Sequence, residues 1–345
     1  MLRREDIFRK LFPKEKPYRL KQLYKALFQE NKDSFLDITT FSKDMRIKLN
    51  KDLPFLFYKD FKTLEDKNSS SYKAKLILLD GREIETVLMR NKDSHYTVCL
   101  STQVGCAIGC LFCATGSMGF IRDLSTDEII DQLRFWTRFI KNRKFKGKIT
   151  NLVFMGMGEP LLNYENVRDA INTVLNSTDI GKNHITLSTI GMIVPLYKLL
   201  NDQTWPDINI ALSLQSANYE TRKKLVPKTE LDFTKEIVKW SKKYLKKYNR
   251  RNNFITIEYI LIKNINDTIN ELESLARFLN KIPKVKVNLI PLNQIKSKFK
   301  RPDKEKIEEF KLRLEQKKII TTIRESKGQN ISAACGQLIV GSKEY

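Results

Sequence analysis

Strand-like and helix-like segments alternate six times between residues 96 and 291, and this alternation restricts the fold more than any other feature. Each strand candidate is short and largely apolar, and each is followed by a segment with the spacing of an amphipathic helix. The predicted strands cover residues 96–101, 149–154, 184–189, 208–214, 254–262 and 284–291. The predicted helices cover residues 126–141, 164–177, 194–202, 217–225, 232–248 and 268–281. Right-handed crossovers join parallel strands, so six such units predict an α/β fold with a full or partial barrel.

The segments on either side of these units have different patterns, and they divide the chain into four parts. Residues 1–65 have the spacing of short amphipathic helices, which predicts an N-terminal helical accessory domain. Residues 66–92 contain alternating segments around an Asp-Gly turn, which predicts a β-hairpin linker. Residues 93–300 form the predicted core barrel, and residues 301–345 form the predicted C-terminal helix, strand and tail.

Three of the five cysteines form a C-x3-C-x2-C run directly after the first predicted strand. They are Cys106, Cys110 and Cys113. Thiolates are soft ligands that suit iron–sulfur clusters, and three of them bind three irons of a four-iron cube. The fourth iron is then free to bind a small molecule, an arrangement typical of radical S-adenosylmethionine (SAM) chemistry.

Other uses of these cysteines have to be weighed against a cluster. A structural zinc site usually has four Cys or His ligands in paired spacing. The chain contains only two histidines, His95 and His184, and no second C-x2-C pair. A disulfide framework usually has an even number of cysteines in a small secreted chain, whereas this chain has 345 residues and five cysteines. The spacing therefore favours a cluster over zinc, disulfides or inert thiols.

Polar residues follow several of the predicted strands at the point where each strand ends. Gly158 and Glu159 lie in a glycine-rich loop after the second strand, and Ser188 and Ser213 lie at the ends of the third and fourth strands. Asn293 lies just beyond the sixth strand. Functional groups of such barrels gather at the carboxyl ends of the strands, so these residues are expected to share one rim with the cysteine run.

The net charge of +23, from 63 Lys and Arg against 40 Asp and Glu, suggests a polyanionic partner such as nucleic acid. A lysine-rich proteome would give a similar excess without such a partner. The basic loop 296–301 is the better candidate for RNA contact, because the basic residues of segment 235–251 are also explained as a solvated helix face. The chain has no apolar run of about 18 residues and no apolar leader, so we expect a cytoplasmic protein that does not contact membranes.

Several sequence blocks together match one known family. Besides the cysteine run, they are residues 101–106, 154–163, 187–189, 288–291 and 333–338. Over nearly its whole length the chain resembles the radical SAM methyltransferases that methylate C2 of an adenosine in 23S ribosomal RNA and of a transfer RNA adenosine. Close relatives of that family methylate C8 of the same ribosomal adenosine and give antibiotic resistance. The resemblance implies a partial (β/α)6 radical SAM barrel, with the N-terminal domain binding RNA.

The resemblance also implies a set of cofactor contacts. Cys106, Cys110 and Cys113 would hold a [4Fe–4S] cluster, whose open iron would bind the amino and carboxyl groups of SAM. The SAM amino group would also contact Gly158 and Glu159. The remaining SAM contacts would come from Ser188, Ser213, Leu214, Gln215 and Asn293. Two SAM molecules would be used in each turnover, and a donor such as flavodoxin or ferredoxin would supply the electron.

Three further residues would take part in the reaction itself. Cys335 would accept a methyl group from one SAM, and a radical derived from the second SAM would take hydrogen from that methyl group. The resulting carbon radical would add to the adenine ring, which is too electron-poor at C2 for ordinary methyl transfer. Glu85 would accept the proton from C2, and Cys99 would release the product by forming a disulfide with Cys335. The enzyme is expected to be a monomer.

Two departures from a single family pattern leave alternatives open. Gln215 stands where the family has histidine, so a SAM contact through that side chain would be lost while a backbone contact would survive. Residues 158–163 resemble the C2 branch, whereas residues 113–117 and 125–129 resemble the C8 branch. The sequence favours C2 methylation, with C8 methylation as the alternative. A more distant alternative is a non-enzymatic, basic RNA-binding protein with a structural metal site.

Overall fold

The computed structural model describes residues 3–30, 32–91, 95–250, 253–293, 295, 297–324 and 327–338. Within these residues the chain forms a ten-stranded mixed sheet, a two-stranded sheet and eleven α-helices. None of the helices in the described ranges combines the length and the apolar character that a membrane span requires.

The elements are numbered in chain order. The strands are β1 (Tyr58–Glu65), β2 (Ser71–Leu78), β3 (Glu83–Arg90), β4 (His95–Cys99), β5 (Gln103–Gly105), β6 (Phe120–Asp123), β7 (Lys148–Phe154), β8 (Ile185–Thr189), β9 (Asn209–Ser213), β10 (Ile255–Leu261), β11 (Val285–Pro291) and β12 (Ile320–Ile323). The helices are α1 (Arg4–Leu11), α2 (Pro17–Phe28), α3 (Lys43–Asp52), α4 (Ala114–Ser117), α5 (Thr126–Asn142), α6 (Tyr164–Ser177), α7 (Ile193–Asn201), α8 (Tyr219–Leu225), α9 (Phe233–Lys247), α10 (Ile269–Leu279) and α11 (Lys304–Gln316).

The parallel part of the large sheet forms the predicted barrel wall. Its strands follow the order β4, β7, β8, β9, β10, β11 and β12, and each pairs in parallel with the next. The six strands predicted from the sequence correspond to β4 and β7 to β11, and the predicted helices between them correspond to α5 to α10. The predicted α/β fold is confirmed. Strand β12 continues the parallel series beyond the six predicted units.

Antiparallel strands extend the sheet on the β4 side. The predicted hairpin forms from β2 and β3, with Ala74 opposite Thr86 and Leu76 opposite Ile84. Because β3 also pairs with β4, the hairpin is a continuous part of the main sheet. Strand β1 pairs with β2 at the outer edge, so the helical pattern predicted for residues 1–65 ends before residue 58. The mostly exposed side chains of β1 lack the alternation that would have predicted a strand.

Helix α5 packs between the sheet and the N-terminal helices. It begins with a capping box, in which Ser125 Oγ accepts from Glu128 N (3.2 Å) and Glu128 Oε2 accepts from Ser125 N (2.8 Å). Trp136 of this helix is fully buried, and its indole N–H donates to Thr86 Oγ1 on β3 at 3.1 Å. The hydrogen bond satisfies the polar tip of a large apolar side chain, which fixes α5 on the sheet behind the cysteine loop.

Helices α1, α2 and α3 form a small hydrophobic core of their own, in which Phe8 and Leu27 are buried. Arg4 fastens this unit to α5. Its fully buried guanidinium lies 2.5 Å from Asp127 Oδ1 and 3.0 Å from Asp131 Oδ2. Breaking one partner of a buried ion pair costs about 3–5 kcal/mol, so these contacts hold the N-terminal helices firmly against the barrel.

The C-terminal segment, defined here as residues 327–338, returns after β12 to the loop that carries Cys106, Cys110 and Cys113, which is called the cysteine loop. Gly336 O accepts a hydrogen bond from Ala114 N at 2.7 Å, and Leu338 O accepts one from Thr115 Oγ1 at 2.6 Å. The second bond joins residues 223 positions apart. The C-terminal segment therefore covers the same strand ends at which the sequence predicts the functional site.

Candidate cofactor and catalytic site

A cavity of about 150 Å³ lies at the carboxyl ends of the parallel strands and is called the cofactor cavity below. The predicted site residues that line it are Cys106, Cys110, Cys113, Gly158, Glu159, Ser188, Ser213, Gln215 and Cys335. They come from loops and strand ends across the barrel and from the C-terminal segment. The structure therefore brings together most of the residues that were singled out from the sequence.

Four predicted site residues are placed differently. Leu214 is buried in the large hydrophobic core of the barrel and is not among the described residues that line this cavity. Asn293 is also buried, and its Nδ2 donates to the carbonyl oxygen of Cys335 at 3.0 Å. Asn293 thus holds the backbone of the C-terminal segment. Cys99 lines a neighbouring cavity, and Glu85 lies in a buried ion pair; both are described below.

The cysteine loop is held by backbone hydrogen bonds on two sides. Cys106 N donates to Gly119 O at 2.9 Å, which ties the start of the loop to the residue before β6. Leu111 N donates to Leu225 O at 3.1 Å, which ties the middle of the loop to the end of α8. These hydrogen bonds fix the position of the loop backbone that carries the three cysteines.

Two glycines allow close packing around the cofactor cavity. A Cβ at Gly116 would lie 2.7 Å from the carbonyl oxygen of Cys110, so a larger residue would push the cysteine loop away. Gly158 has a φ of +98°, and a Cβ there would lie 2.5 Å from Gln103 Cβ. Both positions require glycine because of backbone conformation or space.

Burial governs the protonation of the three loop cysteines. It raises the pKa of Cys106 to about 11 and also raises the pKa values of Cys110 and Cys113 above their ordinary value. These thiols are therefore protonated at neutral pH, and metal binding would release their protons. Across the described ranges, no three His, Cys, Asp or Glu side chains form a group that could hold one metal ion. A four-iron cube does not require such a group, because each thiolate binds its own iron.

A buried cation lies next to the cysteine loop. Arg222 of α8 donates through its guanidinium to the carbonyl oxygens of Ile190 (2.8 Å), Ser213 (3.0 Å) and Leu214. Burial lowers the pKa of Arg222 to about 9, and the nearby Cys110 opposes this shift. The side chain therefore stays charged at neutral pH. No motif in the sequence marks this residue.

The carboxylate of Glu159 is buried and hydrogen-bonded at the edge of the cofactor cavity. Its Oε1 accepts from Thr189 Oγ1 (2.6 Å) and from Leu161 N (3.0 Å), and its Oε2 accepts from Ile190 N (2.8 Å). Burial raises the pKa of Glu159, and these hydrogen bonds oppose that effect. The arrangement holds an acceptor group in one orientation, which suits an ammonium ligand.

Side chains from β8, β9 and the loop after β9 form a further part of the lining of the cofactor cavity. Ser188 Oγ and Ser213 Oγ are 3.4 Å apart, and both residues are half-buried. Gln215, which replaces the family histidine, has a φ of +62°. Its Oε1 accepts from Ile260 N at 2.8 Å, so the amide is tied to β10.

A second cavity, of about 330 Å³, lies beside the cofactor cavity and is called the thiol cavity. Cys99 and Cys335 both line it, and Cys335 lines the cofactor cavity as well. Both cysteines are free thiols in this structure. Burial raises the pKa of Cys99 to about 12, while the positive charge of Arg324 opposes the shift. Cys335 therefore lies between the loop cysteines and Cys99.

Two charged residues near these cavities belong to none of the sequence motifs described above. Glu258 on β10 and Arg324 just after β12 both line the cofactor cavity, and Arg324 Nη1 lies 3.9 Å from Glu258 Oε1. Glu258 Oε2 is buried and has no hydrogen-bond partner among the described residues. Glu258 is the single carboxylate of the otherwise mostly apolar strand β10, and that contrast is the only local signal it gives. Arg324 gave no such signal.

Among the described residues, those that line the two cavities do not include Glu85 on β3. Its carboxylate lies 3.1 Å from Lys73 Nζ on β2, and both side chains are fully buried. Its backbone is also engaged, because Ser101 Oγ donates to Glu85 O at 2.5 Å. In this conformation the carboxylate belongs to an ion pair inside the protein.

Comparison with known proteins places the chain in a family. Its sequence matches the radical SAM superfamily over residues 100–279. A probable dual-specificity RNA methyltransferase RlmN from Aquifex aeolicus is 38% identical over 93% of this chain and 91% of its own length. A Clostridioides difficile protein of the same description is 40% identical over 94% of this chain and 92% of its own length. The chain belongs to the radical SAM dual-specificity RNA methyltransferase family.

A solved structure supports the same assignment. The radical SAM methyltransferase from Sphaerobacter thermophilus superposes with a TM-score of 0.88 and 34% sequence identity, covering 98% of this chain and 97% of that one. The protein is therefore an enzyme of the transferase class, and the non-enzymatic alternative is wrong. Its family implies a [4Fe–4S] cluster and SAM, and the three cysteines of one loop beside a buried cation fit a cluster.

Proposed function

We propose that this enzyme methylates C2 of an adenosine in 23S ribosomal RNA and of a transfer RNA adenosine next to the anticodon, using two SAM per turnover. The observation that carries the proposal is the position of Cys335, which lines both the cofactor cavity and the thiol cavity. A methyl group on Cys335 would lie between the cofactor residues and Cys99. The similarity to the RNA methyltransferases of Aquifex aeolicus and Clostridioides difficile supports an RNA substrate.

The residues of the cofactor cavity have distinct parts in this proposal. Cys106, Cys110 and Cys113 would hold the cluster, which when bound supplies the electron that cleaves SAM. Glu159 offers a buried, oriented carboxylate to the SAM amino group, and a charge-assisted hydrogen bond of this kind is stronger than a neutral one. Ser188 adds a hydroxyl that faces the same space. These contacts would position SAM next to the carrier cysteine.

The residues around the two lone cysteines would control methyl transfer and release. Asn293 holds the carbonyl of Cys335, so the carrier thiol stays at the boundary of the two cavities. Cys99 has to lose its proton before it can form the releasing disulfide, and the positive charge of Arg324 favours that loss. Glu85 is the proposed acceptor of the C2 proton, and it would first have to leave Lys73.

The RNA contacts are proposed on two parts of the surface. One is the N-terminal helical unit. The other is the basic loop after β11, of which Lys296 lies outside the described residues. Lys298, Lys300 and Arg301 are exposed, and Phe299 between them packs against the hydrophobic cluster that also contacts the loop cysteines. The basic loop is therefore anchored at the rim of the cofactor cavity, where RNA would have to approach.

Replacing Lys298, Lys300 and Arg301 together with Gln is expected to make RNA binding less dependent on salt. Each lost phosphate contact should reduce the slope of log K against log salt concentration by roughly 0.7 for single-stranded RNA. Filter binding over a series of salt concentrations measures this slope. The matched control replaces Lys235, Lys242 and Lys246 with Gln. These lysines are exposed on α9, and their replacement removes the same amount of positive charge. An unchanged slope in the loop variant would place the basic loop off the RNA.

Mass analysis of ribosomal RNA tests the proposed position of methylation. RNA from cells with and without this enzyme is digested to nucleosides, and 2-methyladenosine is expected only when the enzyme is present. An 8-methyladenosine product would assign the enzyme to the C8 branch instead. Transfer RNA from the same cells is analysed in parallel, because a second substrate is part of the proposal. Loss of both products in a Cys335→Ala strain provides the control.

The remaining parts of the proposal concern the cellular setting. We place the enzyme in the cytoplasm as a monomer, because its proposed RNA substrates are found there and one chain supplies every residue of the proposed site. Flavodoxin or ferredoxin is the proposed electron donor. Size-exclusion chromatography with light scattering and reduction of the cluster by each purified donor test these two assignments.

A further inference from the structure

Arg222 has no carboxylate partner within 4.0 Å among the described residues, although its side chain is buried. Its hydrogen bonds go to neutral groups: Thr229 Oγ1 (2.7 Å) and the carbonyl oxygens of Ile190, Ser213 and Leu214. Each nitrogen of the guanidinium therefore has an acceptor, but none of these acceptors carries a full negative charge.

This arrangement is unusual for a buried charge. Burying an ion without a counter-ion is unfavourable, and buried arginines are normally paired. The two other buried arginines of the described residues are paired in this way, because Arg4 and Arg134 both contact the carboxylate of Asp131. Arg222 instead lies over the ring of Phe233, with its Cζ 3.6 Å from the ring centroid. A cation–π contact compensates only part of the cost of desolvation.

The position of Arg222 identifies the missing counter-ion. Leu225, three residues further along α8, accepts the hydrogen bond from Leu111 in the cysteine loop. Leu225 and Val226 pack in the hydrophobic cluster that includes all three loop cysteines at its margin. Ile190 and Ser213, whose carbonyl oxygens accept from Arg222 at 2.8 Å and 3.0 Å, line the cofactor cavity together with the loop cysteines. The cation therefore lies directly behind residues that line the cavity in which the thiolates of a bound cluster would lie.

We propose that Arg222 makes the cluster easier to reduce by stabilising its reduced form. The inference rests on the proposed cluster at Cys106, Cys110 and Cys113. Three thiolates on an oxidised four-iron cube leave a net negative charge, and one-electron reduction by an external low-potential donor makes that charge one unit more negative. A fixed cation in a poorly hydrated interior stabilises the more negative state more strongly. Arg222 is thus a positioning residue that acts through the cluster.

The test compares Arg222→Gln with the wild-type enzyme after anaerobic reconstitution and without SAM. Electron paramagnetic resonance follows the reduced cluster during a potentiometric titration with dithionite. We expect the equilibrium constant for reduction to fall at least tenfold, which corresponds to a midpoint potential lower by about 59 mV. Lys224→Gln is the matched control, because it removes a positive charge from an exposed position on the same helix and should shift the midpoint far less. Arg222→Lys keeps the charge and should keep the midpoint close to that of the wild type.

Each outcome has a defined meaning. A cluster-loaded Arg222→Gln enzyme with a wild-type midpoint would overturn the inference while leaving the proposed cluster intact. Wild-type protein that binds no iron would instead contradict the proposed function. If Arg222→Gln fails to hold iron, Arg222→Lys decides: retention of the cluster with the wild-type midpoint supports a role for the charge. If neither variant holds iron, Arg222 is needed for the structure of the cysteine loop, and the inference is overturned.

Discussion

Cys335→Ala is expected to abolish methylation of both protein and RNA, whereas Cys99→Ala is expected to leave the protein covalently attached to RNA. The reason is that Cys335 would carry the methyl group, while Cys99 would act only when the product is released by thiol–disulfide chemistry. Without Cys99 the carbon bridge between Cys335 and the adenine has no partner thiol to resolve it. A denaturing gel of each variant purified from cells, with and without nuclease, measures the adduct.

The double variant Cys99→Ala/Cys335→Ala controls for nonspecific crosslinking and should give no adduct. Both cysteines line the thiol cavity, so the two single variants disturb the same region and differ mainly in the proposed chemistry. Normal turnover by Cys99→Ala, or methylated RNA from Cys335→Ala, would rule out the methyl-carrier mechanism. A nuclease-sensitive band in both single variants would have the same consequence.

Changing Cys106, Cys110 or Cys113 to Ser is expected to remove the cluster and with it all SAM cleavage. Reconstituted wild-type protein should contain about four iron and four sulfide per chain, because three thiolates and SAM complete the coordination of one cube. Cys335→Ser is the control: it lines the same cavity but is not a proposed iron ligand, so its iron content should match the wild type. Iron and sulfide analysis, the visible absorption band and release of 5′-deoxyadenosine provide the measurements.

Stoichiometric zinc in place of iron, with activity that survives iron chelation, would contradict this assignment. Equal loss of iron from Cys335→Ser and from the three loop variants would also contradict it. In that case Cys335 would have to be a ligand rather than the methyl carrier.

The sequence predicted the parallel strands well because their signals are local. Each barrel strand is a short apolar run between polar loops, as in β8 and β10, and tertiary packing did not override those patterns. Strand β1 was missed because its exposed side chains carry charge instead of alternating apolar residues. The small sheet of β5 and β6 was not predicted for a different reason. Its strands have only three and four residues, which is too short to show a pattern.

The candidate site was predictable where its residues are neighbours in the chain or end a predicted strand. The loop cysteines and Glu159 belong to this group, and the barrel topology brings them together. The roles of Arg222, Arg324 and Glu258 depend on contacts between distant segments, which no local pattern records. Their polar contacts become visible only when side-chain positions are known.

Strand β1 also has a consequence for how copies of this chain behave toward one another. Among the described residues the large sheet does not close and β1 pairs only with β2, so one row of its backbone N–H and C=O groups is available to pair with a foreign strand. Lys59, Asp60 and Lys62 are exposed along that edge, and the pairing with β2 is irregular between Tyr58 and Asp60. Charged side chains and local irregularity both oppose edge-to-edge aggregation. The exposed charges that made this strand hard to predict therefore also oppose its pairing with the edge of a second copy.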